Sequence, residues 1–152
     1  MEYIKLNDIM DEVCGKLSAS GLFRLVTKAA ITGAANLFKV IPELSAFPAA
    51  IVNCPPQTFP EPAAWRELAL EVILVDEFQP FSMEEKAESA CRLLEGVVEQ
   101  LTGEVPGQPY RMVCGADLMI EDIMALAVDS QHTAWLVETR TISKIKASKG
   151  GK

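Results

Sequence analysis

From Trp65 to Phe78 the side chains alternate in a way that only an extended strand accommodates. Leu68, Leu70, Val72 and Leu74 point to one side, while Glu67, Ala69, Glu71, Ile73 and Val75 point to the other. One face is wholly apolar and the other mixed, so the strand belongs to a sheet with one side on a core. The mixed face then meets water, a second layer of core or a neighbouring subunit.

Other elements are placed around this strand. Asn53 to Pro62 holds Pro55, Pro56, Pro60 and Pro62, a density that excludes a helix or a central strand and predicts an extended excursion. Ser82-Met83-Glu84-Glu85 is a capping box that opens a helix, with Ala87, Ala90, Cys91, Leu94, Val98 and Leu101 as its expected buried stripe and Gly103 as its stop. Near the N-terminus, Leu6, Ile9, Met10, Val13 and Leu17 recur at helical spacing, with Asn7 as the expected N-cap and Ser18 to Gly21 ending the helix. Leu22 to Thr27 and Phe47 to Val52 read as strands, the second entered through Pro48. Leu37 to Leu44 reads as a short helical turn interrupted at Pro42, and the pattern of Ala29 to Asn36 specifies no conformation. Tyr110 to Val113 reads as a strand, and Ile123 to Asp129 and Ala134 to Ile142 as a pair joined by a loop at Ser130 to Thr133. The order predicts an α+β fold, with two main α-helices packed on an antiparallel or mixed β-sheet. Residues 1–142 form a single domain, followed by a flexible Lys-rich tail at 143–152.

Composition narrows the function. With 49% hydrophobic and 23% charged residues, the 152-residue chain is globular, and no stretch approaches the roughly 18 uninterrupted apolar residues of a membrane span. The first residues carry no basic region followed by an apolar run, so a cytoplasmic location is expected. Four scattered cysteines without a Cys-x-x-Cys pair read as free buried thiols. The last ten residues hold four lysines and no acid, so the net charge of −7 for the whole chain leaves −11 on residues 1–142. Such an acidic body argues against sequence-specific nucleic-acid binding, which needs clustered Lys and Arg.

No catalytic constellation is evident. The only histidine, His132, falls in the expected hairpin turn, and there is no nucleophile elbow, zinc-binding helix or phosphate loop. Asp117, Glu121 and Asp122 could hold a hard cation as a metal-dependent enzyme would, but they read more simply as a solvated acidic face. No cofactor and no metal site are expected. The residues singled out as contacts are Pro55, Pro56 and Phe59 of the excursion, Glu67 and Glu71 of the long strand, the acids Asp117, Glu121 and Asp122, and Lys144 and Lys146 of the tail.

An N-terminal helix leads to Leu-x-x-Phe-Pro-Ala-x-Ile-Val at Leu44 to Val52 and then to the Pro-rich gap. A strand Arg-Glu-Leu-x-Leu-x-Val-x-Leu-Val at Arg66 to Val75, a capped helix and a terminal strand pair follow. This order resembles the tail terminator, or tail completion, proteins of long-tailed phages and Mu-like or lambda-like prophages. The resemblance implies an α+β subunit that forms a homo-hexameric ring on the end of the tail tube, stops its polymerisation and meets the head–tail connector. Its partners would be itself, the tube and the connector, with no catalytic residue, no membrane and no cofactor involved. The alternative is a small acidic binding or regulatory domain, since fold alone does not fix function.

Overall fold

The computed structural model describes residues 4–32, 34–57, 65–77, 82–105, 108–126 and 131–144. In chain order the elements are α1 (Leu6–Ala19), β1 (Leu25–Ala29), α2 (Ala34–Val40) running into a 3-10 turn (Ile41–Glu43), and β2 (Ala49–Asn53). They continue with β3 (Trp65–Glu77), α3 (Met83–Leu101), β4 (Tyr110–Arg111), β5 (Asp117–Leu126) and β6 (His132–Lys144). The strands make one six-stranded sheet in the order β1-β2-β3-β6-β5-β4. β1 and β2 run parallel, joined through α2, and the other pairs are antiparallel, so the fold is α+β on a mixed sheet.

β3 and β6 form the spine, pairing from Trp65↔Lys144 to Glu77↔His132. The expected apolar face of β3 is the core: Leu68, Leu70, Val72 and Leu74 are buried with Ala50 and Val52 of β2, Leu118 of β5 and Val137 of β6. Ile9, Met10, Val13 and Leu17 of α1 and Leu93, Val97 and Leu101 of α3 close over that face. A fully buried Leu or Val stabilises by about 1.5–3 kcal/mol, so this layer supplies most of the driving force. On the opposite face, Leu37 of α2 and Ile41 of the 3-10 turn cover Ile51, Ile73, Val75 and Ala134. Ile73 and Val75 therefore belong to a second core layer, one of the roles open to them.

Several local expectations are corrected. Lys5, not Asn7, precedes the first helical residue, and no side chain caps α1 there. Asn7 instead accepts from Lys28 Nζ at 3.0 Å, beside an ion pair of 2.6 Å between Lys28 and Asp11 that ties α1 to β1. Leu101 of α3 is buried as expected, but the rest of the stripe is rotated to Leu93 and Val97, which leaves Ala87 and Cys91 exposed and Ala90, Leu94 and Val98 half-buried. Gly96 lies on that rotated face, with Leu22 Cδ1 in the space where a Cβ would stand. Leu22 and Phe23 thus pack on the core ahead of β1, which begins only at Leu25. Gly103 takes no left-handed cap, since α3 ends through extended Thr102; a Cβ at Gly103 would meet the Pro109 carbonyl at 2.6 Å. β4 is only two residues long, because the chain turns at once through Met112 to Gly115, where Gly115 has φ 99°.

β5 is longer than expected and starts at Asp117, so Asp117, Glu121 and Asp122 lie on a strand and not in a loop. A register shift between Ile120 and Asp122 explains why this stretch resisted reading. Leu118 and Ile120 face the core, then an extra residue at Glu121 switches the phase so that Ile123 does. β6 runs on to Lys144, two residues into the expected tail. His132 is the first residue of β6, not a turn residue: it is half-buried opposite Glu77, with its ring 5.1 Å from that of Phe47.

A candidate interaction surface on the uncovered sheet face

Among the described residues, α2 and the 3-10 turn cover only one end of their side of the sheet. Beyond them β3, β6 and β5 present three successive rows to the same side. These are Glu67–Ile142–Asp117, Ala69–Arg140–Met119 and Glu71–Glu138–Asp122, each residue directly opposite its neighbour. Alternation along the strands puts their partners Leu68, Leu70, Val72 and Val137 into the main core, which fixes the direction of the rows. Glu67, Ala69, Glu121 and Asp122 are exposed, and Glu71, Met119, Glu138, Arg140 and Ile142 are half-buried.

The structure thus gathers Glu67, Glu71, Asp117, Glu121 and Asp122, read from the sequence as separate candidates, onto one surface. Arg140 stands at its centre. Its guanidinium lies 3.6 Å from Glu67 Oε2 and 3.7 Å from Glu121 Oε1, and its enclosed Nε makes no hydrogen bond. Asp117 pairs with Arg111 at 2.9 Å. Contacts this exposed contribute about 0–1 kcal/mol each. The third row is different, because three carboxylates stand side by side on strands about 4.8 Å apart, an arrangement that is destabilising by itself. Glu71 accepts from Asn53 Nδ2 at 2.8 Å, but among the described residues no ion pair neutralises Glu138 or Asp122.

Two polar side chains absent from the sequence reading frame this surface. Asn53, completely buried at the end of β2, accepts from the Ile31 N–H at 2.6 Å and donates to the Ile31 carbonyl at 3.0 Å as well as to Glu71. It holds the β1–α2 connection, which had no legible pattern, against the sheet. Gln57 substitutes for a strand where β2 has ended. Its amide accepts from the Ala69 N–H and donates to the Ala69 carbonyl, both at 2.9 Å, and donates to the Pro55 carbonyl at 2.8 Å. Half-buried Pro55 and exposed Pro56 are thereby held at the edge of β3 and not on the open face. Phe59 and Lys146 lie outside the described residues, and of Lys144 only the strand position is defined.

Glu12 of α1 makes a second polar junction. Its carboxylate accepts from the Tyr110 hydroxyl at 2.7 Å and from the Val113 and Cys114 N–H groups at 2.9 and 3.3 Å. Lys16 sits 4.4 Å from the centre of the Tyr110 ring. Burial, then the bond to Glu12, pushes the Tyr110 hydroxyl up to about 12. The contact fixes the β4–β5 turn, whose tip residue Val113 is 93% exposed.

All four cysteines are free, but none is fully buried: Cys91 is exposed and Cys14, Cys54 and Cys114 are half-buried, and burial raises Cys14 and Cys114 away from the reactive thiolate. Asp117 and Asp122 stand opposite Ile142 and Glu138 of β6, four residues or about 13 Å apart along that strand, and among the described residues no three His, Cys, Asp or Glu converge as a metal site requires. An open cleft of about 270 Å³ near the start of α3 is lined by Arg24, Phe47, Asp76, Glu77, Ser89 and Arg92, with the Ser89 hydroxyl donating to Asp76 at 3.0 Å. Charges of both signs line it. No described helix is long and apolar enough to cross a membrane. Comparison with models of known protein families and with curated proteins gives no match to this chain.

Proposed function

We propose that this chain is an assembly subunit that works through its surfaces, a tail-terminator-like protein that forms a homo-hexameric ring on a phage or prophage tail tube and meets the head-side connector. The observation that carries the reading is the half-uncovered sheet. A domain that buries both faces of β2 and one end of β3 leaves Ala69, Met119 and Ile142 on an open face among carboxylates. Apolar atoms within a charged rim are how a protein contact surface is built. The described elements behind the resemblance also occur in the expected order, from α1 through the lead-in to β2, then β3 and capped α3 to the β5–β6 pair. Ser82 Oγ accepts from the Glu85 N–H at 3.2 Å in that cap.

A ring closes through heterologous contacts, in which one surface meets a different surface of the next copy. Light scattering over a range of concentrations, at low and moderate salt, tests this. A ring gives a discrete species near six times the 16.6 kDa chain mass. A species that stays at the chain mass, or stops at a dimer, instead favours a binding or regulatory domain whose open face takes another partner.

A further inference from the structure

We propose that the open sheet face is the docking site for the lysine-rich segment Ile145 to Lys152 of a second copy, so that neighbouring subunits are linked tail to face. This rests on the reading of the chain as a self-assembling subunit and names the contact that joins the copies.

Charge and spacing argue for this occupant. The segment carries Lys146, Lys149 and Lys152 and no acid, on a chain whose other residues are strongly acidic. Lysines at every third residue align on one side of a polyproline-type extended segment, about 9 Å apart. Across the sheet, Glu71 and Asp122 stand in one row on β3 and β5 with β6 between them, two strand spacings or about 9.6 Å apart. A segment lying across the strands therefore sets successive lysines over Glu71 and Asp122, with Glu138 between them. It supplies the positive charge that the row lacks among the described residues, while its aliphatic stems cover Ala69 and Met119 of the adjacent row.

The route favours a neighbour over the same chain. β6 ends at Lys144, six residues beyond Glu138, or about 20 Å along the strand. To reach its own row the segment would have to reverse at once, and at roughly 3.3 Å per residue only its last residues would arrive. Lys146 would fall short, and a segment doubling back along β6 would run parallel to the strands and not across them. A copy related by rotation brings the segment in without a reversal, and a tail-to-face contact is heterologous, as a ring requires.

The test uses the full chain. One variant neutralises the face (Glu71→Gln, Glu138→Gln and Asp122→Asn) and another the segment (Lys146→Gln, Lys149→Gln and Lys152→Gln). Each is expected to weaken association about tenfold, at the few-fold per exposed ion pair that such contacts contribute. Combining them is expected to add little. Thermal unfolding of each variant shows that the fold is kept. Carbodiimide cross-linking of an equal mixture of ¹⁵N-labelled and unlabelled chains should join segment lysines to Glu71, Glu138 or Asp122 in mixed-isotope pairs. An oligomer that forms equally well in both variants, without such pairs, overturns the proposal and leaves the self-assembly reading standing. Cross-links confined to single-isotope pairs place the segment on its own chain and also overturn it. A chain that is monomeric at every concentration removes the self-assembly reading, and this contact with it.

Discussion

Asn53 is the residue whose loss the fold should feel most sharply for its size. It is completely buried and satisfies both backbone groups of Ile31 while donating to Glu71. In Asn53→Ala the Ile31 N–H and carbonyl lose their partners in a half-buried position. Each such orphaned group costs about 1–3 kcal/mol, less where water enters, so the sum is about 2–4 kcal/mol. For a chain of this length that lowers Tm by about 5–15 °C. Asn53→Asp is the sharper case, since it keeps the shape but turns the donor into an oxygen facing the Ile31 carbonyl and Glu71. At neutral pH it should cost more than alanine, about 3–5 kcal/mol. Burial and Glu71 both raise the folded-state pKa of the new carboxyl above its unfolded value of about 3.9. Below that value the acid is neutral in both states and the extra cost vanishes. The cost then grows with pH until the folded carboxyl ionises. Urea unfolding by circular dichroism at pH 5 and pH 7.5, at one fixed protein concentration, measures this directly. A loss under about 0.5 kcal/mol for Asn53→Ala, or an aspartate variant that improves relative to the parent as pH rises, would refute the reasoning.

Gly15 lies exposed within α1 with nothing within 4 Å of a built Cβ, so Gly15→Ala should stabilise by about 0.5–1 kcal/mol in the same unfolding assay. Glu12→Ala removes the acceptor for Tyr110, Val113 and Cys114; it should cost about 2 kcal/mol and speed hydrogen exchange at Val113 and Cys114 while β3 stays protected. The Tyr110 hydroxyl, held up at about 12 against an unfolded value near 10, favours the fold fully below pH 10, and that contribution is lost as pH rises towards 12. Tyr110→Phe should therefore be the less stable protein at pH 8, with a gap that narrows over that window in pH-dependent denaturation. Glu138→Gln relieves the carboxylate row and should raise stability by about 0.2–1 kcal/mol at low salt, with the gain shrinking as salt is added.

The fold was legible where one interaction dominated. β3 declared both its faces through alternation, α3 its start through Ser82, and α1 its buried face through apolar spacing. The misreadings have physical causes. The stripe of α3 was set by the close approach of Leu22 to Gly96, a tertiary fit that periodicity does not carry. The first half of β5 was hidden by its register shift; β6 was read at Ala134 to Ile142, but its core face was not, since the buried Thr139 and Thr141 donate to the Leu70 and Leu68 carbonyls and so behave as core residues. The acids of the candidate surface could be named singly, but their juxtaposition depends on the pairing of β3 with β6 and of β6 with β5. Glu138 and Arg140 were missed for the same reason, although their alternation with Val137 and Thr139 was available as a signal. Asn53, Gln57 and Glu12 act on residues distant in sequence or through backbone groups, and no local pattern marks them.

The central claim is that the uncovered face of the sheet is where this protein meets its neighbours. Its most direct test is the solution mass of the wild-type chain beside Ala69→Arg, on the open face, and Met83→Arg, an 86% exposed position at the start of α3. The account predicts a discrete oligomer for the wild type and for Met83→Arg, and a shift to the single-chain mass for a still-folded Ala69→Arg. A wild-type chain that remains single at all concentrations, or an oligomer that Ala69→Arg leaves intact, would contradict it.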